Sequence, residues 1–398
     1  MDIIEKLKGK RILIWGYGRE GKASESFIKR QVKGASVDIF EGKREDICEE
    51  KYDIIIKSPG IVMPEDAPKY TSQTELFLEQ FRDQVIGITG TKGKSTTSSM
   101  TAHVLRELSG RKVLLLGNIG EPCLNYFEEI DGDTIIVFEM SCHQLAHVKV
   151  SPHIAVFLNL YEEHLDYYGT FEKYFEAKAN ITRFQGPSDY FYVGDEVPDI
   201  KTQAVKTVIF RDSHPEYELG VLGEHNSYNA EFAVRIAMER FGIDMEDIKK
   251  ALKSFKGLRH RLEFVGEKDG VAYYDDSIST IPEAAISALS AVPNAKTILL
   301  GGMDRGIDYS ILSDFIKAHD EYNYIFTYEA GKRIFESVGE AENRYVSKDL
   351  KEAVKLAGEI TEAGFAVILS PAAASYGYFK NFEERGDKFR EYAGFKEL

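Results

Sequence analysis

The segment Gly87-Ile-Thr-Gly-Thr-Lys-Gly-Lys-Ser-Thr-Thr97 has the residue types and order of a phosphate-binding loop. An apolar strand end, Val85-Ile86, precedes it, and a helical pattern from Ser98 to Leu108 follows. In that order, backbone N–H groups and the positive end of a helix can surround phosphate oxygens. Gly90, Thr91, Lys92, Gly93, Lys94, Ser95 and Thr96 are therefore candidate ATP-binding residues. Lys94 can reach the β- and γ-phosphates, and the Ser95 hydroxyl can take Mg²⁺. One position departs from the common spacing: Ile88, six residues before Lys94, stands where a glycine is usual. A chance Gly-Lys-Ser in an ordinary turn is the competing reading, and the flanking strand and helix weigh against it.

Other candidates cluster at the ends of apolar runs. Glu139 follows Thr134–Phe138, where a carboxylate could bind Mg²⁺ beside Ser95 or simply open a helix. Ser141-Cys-His-Gln144 adds polar groups there. His164 lies in Asn159-Leu-Tyr-Glu-Glu-His-Leu-Asp166, just past Ile154–Leu158, in company with three carboxylates. Lys178, in Tyr174-Phe-Glu-Ala-Lys178, falls mid-helix and by itself reads as a solvated lysine. Asn226 and Asn229, three apart at a helix start, share a face and could cap the helix or bind a base or phosphate. Arg261 could read a phosphate or sit on the surface. Tyr274-Asp-Asp-Ser-Ile-Ser-Thr280 puts two acids and three hydroxyls at a strand end.

Positioning these groups needs three α/β blocks: about 1–82, 83–256 and 257–398. The first has strands at Arg11–Trp15, Ser36–Phe40 and Tyr52–Lys57. Its Gly16-Tyr-Gly-Arg-Glu-Gly21 is followed 20 positions later by Glu41, a Rossmann-like pattern. The second alternates helical segments with runs at Val113–Leu116, Thr134–Phe138, Ile154–Leu158 and Tyr190–Val193. The third has strands near Val271–Tyr274, Thr297–Leu300, Tyr324–Thr327 and Ala366–Leu369. Such alternation predicts doubly wound, mostly parallel sheets with helices on both faces. The length, 398 residues, suits two or three domains.

Composition narrows the classes. A net charge of −15 argues against a nucleic-acid partner, while a phosphate site needs only local positive charge. Three cysteines, Cys48, Cys123 and Cys142, lack CxxC spacing and fit a reducing cytoplasm. The N-terminal residues carry no long apolar run, so no signal peptide is expected, and no run of about 18 apolar residues predicts a membrane span. A monomer is the default expectation.

In their order, these motifs resemble the Mur ligase family over nearly the whole chain. Gly-Thr-Lys-Gly-Lys-Ser-Thr is similar to the family's ATP loop, and Phe-Glu-Met-Ser-Cys-His-Gln-Leu to its Glu-Leu-Ser-Ser-Phe-Gln-Leu segment. Asn159–Asp166, Tyr174–Lys178 and Gly-x-His-Asn-x-x-Asn-Ala also match. Ser58-Pro-Gly-Ile61, Leu-Ser-Pro-Ala-Ala-Ala-Ser375 and Phe-Lys-Asn-Phe-Glu-Glu-Arg-Gly-Asp-Lys-Phe389 resemble the glutamate-adding branch.

The resemblance implies a Rossmann-like first domain, a P-loop ATPase-like central domain and a Rossmann-like third. It implies that ATP phosphorylates the carboxylate of UDP-N-acetylmuramoyl-L-alanine and that the amine of glutamate attacks the acyl phosphate. Lys94, His164 and Lys178 would be catalytic. Ser95, Glu139, His164 and Lys178 would hold two Mg²⁺, with Lys178 carbamylated. Asn226, Asn229, Arg261 and Asp276 would hold the nucleotide. Gly16, Gly18, Arg19, Glu20, Gly21, Glu41 and Ser58 would bind the UDP part, and Asn118, Ser141 and Gln144 the muramoyl-alanine end. Thr280, Arg305, Ser375 and Phe382 would bind glutamate.

This chain departs from the family at the amino-acid site. Where the family's D-glutamate enzymes read Asp-Ser-Lys-Ala-Thr-Asn, it reads Asp276-Ser-Ile-Ser-Thr-Ile281. Ile278 and Ile281 replace a lysine and an asparagine, and Arg305 is the cation left to bind a carboxylate. D-glutamate is the first expectation, and an L-glutamate-adding variant stays open. Folylpolyglutamate synthase shares the ATP loop but lacks a Rossmann-like first block. A nicotinamide-dependent oxidoreductase and a non-catalytic nucleotide binder are the readings from other classes; the phosphate loop opposes the former, and Lys94, Glu139, His164 and Lys178 together oppose the latter.

Overall fold

Short runs of Ile, Val, Leu and Phe form the strands of three sheets in the computed structural model, which describes residues 2–62, 67–223 and 225–396. The first sheet holds β1 (Arg11–Trp15), β2 (Ser36–Phe40), β3 (Ile54–Lys57) and β4 (Tyr70–Thr71). Its order is β2-β1-β3-β4, and every pairing is parallel. The second holds β5 (Val85–Thr89), β6 (Val113–Gly117), β7 (Ile135–Glu139), β8 (Ile154–Phe157), β9 (Tyr190–Gly194) and β10 (Val205–Ile209). Its order is β10-β9-β8-β5-β7-β6, again all parallel. The third holds β11 (Glu263–Lys268), β12 (Val271–Asp275), β13 (Ala295–Gly301), β14 (Asn323–Thr327), β15 (Arg344–Ser347) and β16 (Ala366–Leu369), in the order β11-β12-β16-β13-β14-β15. There β11 alone runs antiparallel to its neighbour. The architecture is α/β, as the alternating pattern predicts.

The chain divides into two units, one of Met1–Leu219 with Glu224–Phe255, the other of Gly220–Gly223 with Lys256–Leu398. In the first unit the two sheets share a core. Ile12, Ile14, Phe27 and Phe77 of the first block belong to one buried cluster with Leu116, Phe138 and Phe157 of the second. The Phe77 ring meets Phe138 edge-on at 5.6 Å. Truncating either ring to Ala should cost about 3–5 kcal/mol. β5 and β7 are buried at every residue, as strands covered by helices on both faces must be.

Parallel strands deliver all their carboxyl ends to one edge, and ligands of such sheets bind where the strand order reverses. In the second sheet that point is β5, flanked by β8 and β7. The phosphate loop, the end of β7 and the loop after β8 therefore meet at one edge. In the first sheet the reversal lies between β1 and β3, which lead directly into Gly16 and Ser58.

Candidate active site

The phosphate loop turns between Thr89 and the helix Lys94–Leu108. Ile88, the departure from the usual spacing, is a fully buried strand residue paired with Glu139, so the turn begins only at Gly90. Gly93 caps the helix at φ +82, and a Cβ there would lie 2.5 Å from Asn229 Oδ1. Glycine is needed on both counts. Asn229 in turn donates to Asn226 Oδ1 at 3.1 Å, so the two asparagines do share a face, against the loop.

Asn159, at the end of the loop's neighbour β8, clamps the turn. Its Oδ1 accepts from Thr91 N at 3.1 Å and Lys92 N at 2.9 Å, and its Nδ2 donates to Lys92 O at 3.0 Å. Sequence reading placed Asn159 in a motif without a role; its position one strand over from a glycine-rich loop was the available signal. Lys94 folds back on the turn, donating to Gly90 O at 3.0 Å and Thr91 O at 2.8 Å. Burial lowers its pKa, against the nearby Glu139 carboxylate.

Lys178 is not the solvated helical lysine that its local sequence suggests. It is 1% exposed and donates to Gly90 O at 2.7 Å. The helix Phe171–Arg183 buries Tyr174, Ala177 and Ile181, and Lys178 lies on that same stripe. The register was the missed signal. Burial, then repulsion from Lys94, pushes its pKa down to about 7. A lysine so placed is substantially an unprotonated amine at neutral pH.

Glu139 is 1% exposed at the end of β7. Its Oε1 accepts from Asn118 Nδ2 at 2.7 Å, while its Oε2 is buried without a partner. An ionised carboxylate oxygen left so is costly unless a cation meets it. His164 sits in the left-handed region at φ 56, and its ring centroid lies 5.0 Å from that of His143.

A cavity of about 490 Å³ runs from Lys94, Lys178 and His164 to the end of the first sheet. Lys94, Lys178, His164 and Glu163 line one part, and Asn118, Ser141, Gln144, Arg19 and Glu20 another. Ser141 and Gln144 form a capping box on the helix Cys142–Leu145, and Gln144 Nε2 donates to Glu20 Oε1 at 2.8 Å. Burial pushes the Glu20 pKa up, and its Oε2 has no partner. Gly16, at φ +88, accepts from Ser58 Oγ at 2.8 Å, and a Cβ on Gly21 would meet Gly16 O at 2.3 Å. Gly18 caps the helix that begins at Arg19. Glu41 is exposed just beyond β2 and does not line the cavity.

The second unit gathers its own candidates at one sheet edge. Asp276, 3% exposed, accepts from Ser370 Oγ at 2.7 Å and from Leu262 N at 3.2 Å. Burial raises its pKa to about 6. Ser375 is buried, and Met303 N donates to Ala374 O at 2.8 Å, which brings the loop carrying the exposed Arg305 beside Ser375. Arg385, inside the last motif, is the residue that joins the pieces. Its guanidinium reaches Ser277 Oγ at 3.0 Å, Ser277 O at 2.7 Å and Ala373 O at 3.0 Å, while Ser277 Oγ donates to Phe382 O at 2.8 Å. Thr280 and Ile278 are half-buried in the same turn, Ile281 is 45% exposed, and Arg261 is exposed.

A family model described as the Mur ligase middle domain matches residues 88–208. The UDP-N-acetylmuramoylalanine–D-glutamate ligase of Streptococcus agalactiae serotype III is 33% identical over 448 aligned positions, which cover 98% of this chain and 98% of that protein. Among solved structures, the UDP-N-acetylmuramate-alanine ligase MurC of Thermotoga maritima matches with a TM-score of 0.61 at 19% identity, over 96% of this chain and 98% of that one. The MurF ligase of the same organism, in complex with ADP, matches with a TM-score of 0.59 at 17% identity, over 99% and 98%. At such identities the two structures speak to the fold alone.

Proposed function

The chain belongs to the Mur ligase family, and we propose on that footing that it joins glutamate to UDP-N-acetylmuramoyl-L-alanine at the expense of ATP, a step of peptidoglycan synthesis. One observation carries the reading. A single cavity brings the phosphate-loop Lys94, the buried Lys178 and His164 together with Asn118, Ser141, Gln144, Arg19 and Glu20. Phosphoryl donor and acceptor carboxylate thus have adjoining places.

A carboxylate resists attack by an amine until phosphorylation turns its oxygen into a leaving group. Lys94 supplies positive charge to the transferring phosphoryl group, in a turn whose shape Asn159 fixes by accepting from the Thr91 and Lys92 N–H groups. The unprotonated amine of glutamate bonds to the carbonyl carbon of the acyl phosphate, phosphate departs with the C–O bond pair, and the nitrogen gives up a proton to the departing phosphate or to water.

Glu139, whose Oε2 is buried without a partner, the Ser95 hydroxyl and His164 would hold Mg²⁺. Bound there, Mg²⁺ would neutralise phosphate charge. Lys178 is the lysine for carbamylation. Its unprotonated amine adds to CO₂ and releases a proton, which converts a buried cation into an anionic ligand. Asn226, Asn229, Arg261 and Asp276 serve the nucleotide, and Gly16, Gly18, Gly21, Glu41 and Ser58 the UDP end. Thr280, Arg305, Ser375 and Phe382 serve the amino acid.

D-glutamate is the amino acid in the relatives' names and in this reading. Ile278 and Ile281 favour a second, in which L-glutamate is added. The chain works as a cytoplasmic monomer, and no described helix is long and apolar enough to cross a membrane.

The test offers D- and L-glutamate separately to the purified protein with ATP, Mg²⁺ and UDP-N-acetylmuramoyl-L-alanine, and follows phosphate release and product mass. D-glutamate alone should turn over. L-glutamate alone would establish the variant branch, and no turnover with either would remove the muramoyl substrate.

A further inference from the structure

His143 stands where the family motif quoted above has phenylalanine, so it is a nitrogen donor that this chain adds to a site otherwise built from oxygens and one imidazole. It lies on the short helix Cys142–Leu145 after β7 and lines the same cavity as Lys94, Lys178 and His164. The Tyr167 ring packs edge-on against it at 4.4 Å. Its Nδ1 meets the Cys142 thiol at 3.5 Å. Its Nε2 has no hydrogen-bond partner among the described residues, and neither does the His164 ring, which lies 3.9 Å from the Glu163 carboxylate.

The distance between the two imidazole rings is compatible with one shared cation. Ring nitrogens about 2.1 Å from a shared metal in cis positions put ring centroids on the order of 5 Å apart. The His143 and His164 centroids are 5.0 Å apart, with ring planes inclined at 73°. Packing alone would be served as well by the phenylalanine of the motif. A second imidazole changes what the site prefers, because nitrogen ligands favour Mn²⁺, Co²⁺ and later ions over Mg²⁺.

We propose that His143 is a second imidazole ligand beside His164, and that it shifts this enzyme's divalent-cation preference from Mg²⁺ toward Co²⁺ and Mn²⁺. This rests on the reading above that His164 holds a cation. The two imidazoles add to the oxygen donors assigned above, and phosphate oxygens and water fill the positions left, as is usual for cations that serve a nucleotide.

The probe is Mn²⁺ with ADP on the full chain, read by pulsed electron paramagnetic resonance for ¹⁴N coupling. The expected result is two imidazole nitrogens in the parent protein, one in His143→Phe and one in His164→Ala. His143→Phe installs the residue of the family motif, and His143→Asn is the second variant; both are checked for parental melting temperature. In parallel, competition at equilibrium should show His143→Phe losing at least about tenfold of the Co²⁺-over-Mg²⁺ preference. One nitrogen in the parent, lost only in His164→Ala, would overturn the role of His143 and leave that of His164 intact. No nitrogen in any of them would overturn both.

Discussion

Lys94 and Lys178 share one acceptor: both ammonium groups donate to the Gly90 carbonyl, at 3.0 and 2.7 Å. The acceptor belongs to the turn proposed to hold phosphate, so the loop's own backbone positions both side chains. Two like charges on one oxygen, Lys178 fully buried and Lys94 half-buried, are unfavourable, and the pair relieves this by giving up a proton. Burial is the larger cause of the depression at Lys178, and Lys94 the second.

Removing Lys94 should therefore return part of the proton affinity of its neighbour. Lys94→Met raises the Lys178 pKa above its value of about 7 in the parent protein. Titration of ¹³C-labelled lysine by nuclear magnetic resonance measures the change. ATP-dependent turnover should fall by about 10²–10³-fold, the usual effect of deleting one preorganised charge donor. An unmoved Lys178 titration would mean that the two ammonium groups do not feel each other.

Lys178→Met probes the same burial through stability. The folded pKa is about 7 and the ordinary value is 10.5. Between these values the unfolded chain binds the extra proton, so parental stability rises with pH across that window. Below pH 7 both states hold the proton and the full cost of the buried charge is present. The gain in melting temperature from Lys178→Met should be largest at pH 6.5 and shrink by pH 9.5, in CO₂-free buffer. Equal gains at both would sink the argument.

Glu139→Gln separates a metal ligand from a structural carboxylate. Glutamine keeps an acceptor for Asn118, which now meets Oε1 at 2.7 Å, and removes the buried oxygen that has no partner. Without Mg²⁺ the variant should melt at or above the parental temperature. Its Mg²⁺ dissociation constant should rise by about 10–100-fold. A lower metal-free melting temperature with unchanged Mg²⁺ affinity would mark Glu139 as structural.

The strands were legible in the sequence because parallel, doubly covered strands are continuous apolar runs, as in Val85–Thr89 and Ile135–Glu139. The phosphate loop was legible because its glycines are demanded by backbone geometry, Gly93 most plainly. Lys178 was not legible by residue type, since a mid-helix lysine is ordinarily solvated; only the stripe it shares with Tyr174, Ala177 and Ile181 shows otherwise. Asn159 and Arg385 escaped for another reason. Their partners, Thr91 and Lys92 for one and Ser277 and Ala373 for the other, are distant along the chain or sit in other turns, and hydrogen bonds of that kind leave no periodic trace.

Asp276 offers the opposite sign to Lys178, in the second unit. Its carboxyl is buried, with Ser370 and Leu262 as donors, and its pKa rises to about 6 from 3.8. Between those values the folded chain holds a proton that the unfolded chain has lost, so stability falls as pH rises through that window. Above pH 6 the buried anion costs on the order of 3 kcal/mol, from about 1.4 kcal/mol per pKa unit. Asparagine has nearly the same shape, can accept from Leu262 N and can exchange a hydrogen bond with the Ser370 hydroxyl. Asp276→Asn should thus be more stable than the parent at pH 7 and lose that advantage by pH 4, measured as urea midpoints at the two pH values. A gain independent of pH would show that the benefit comes from packing instead of charge.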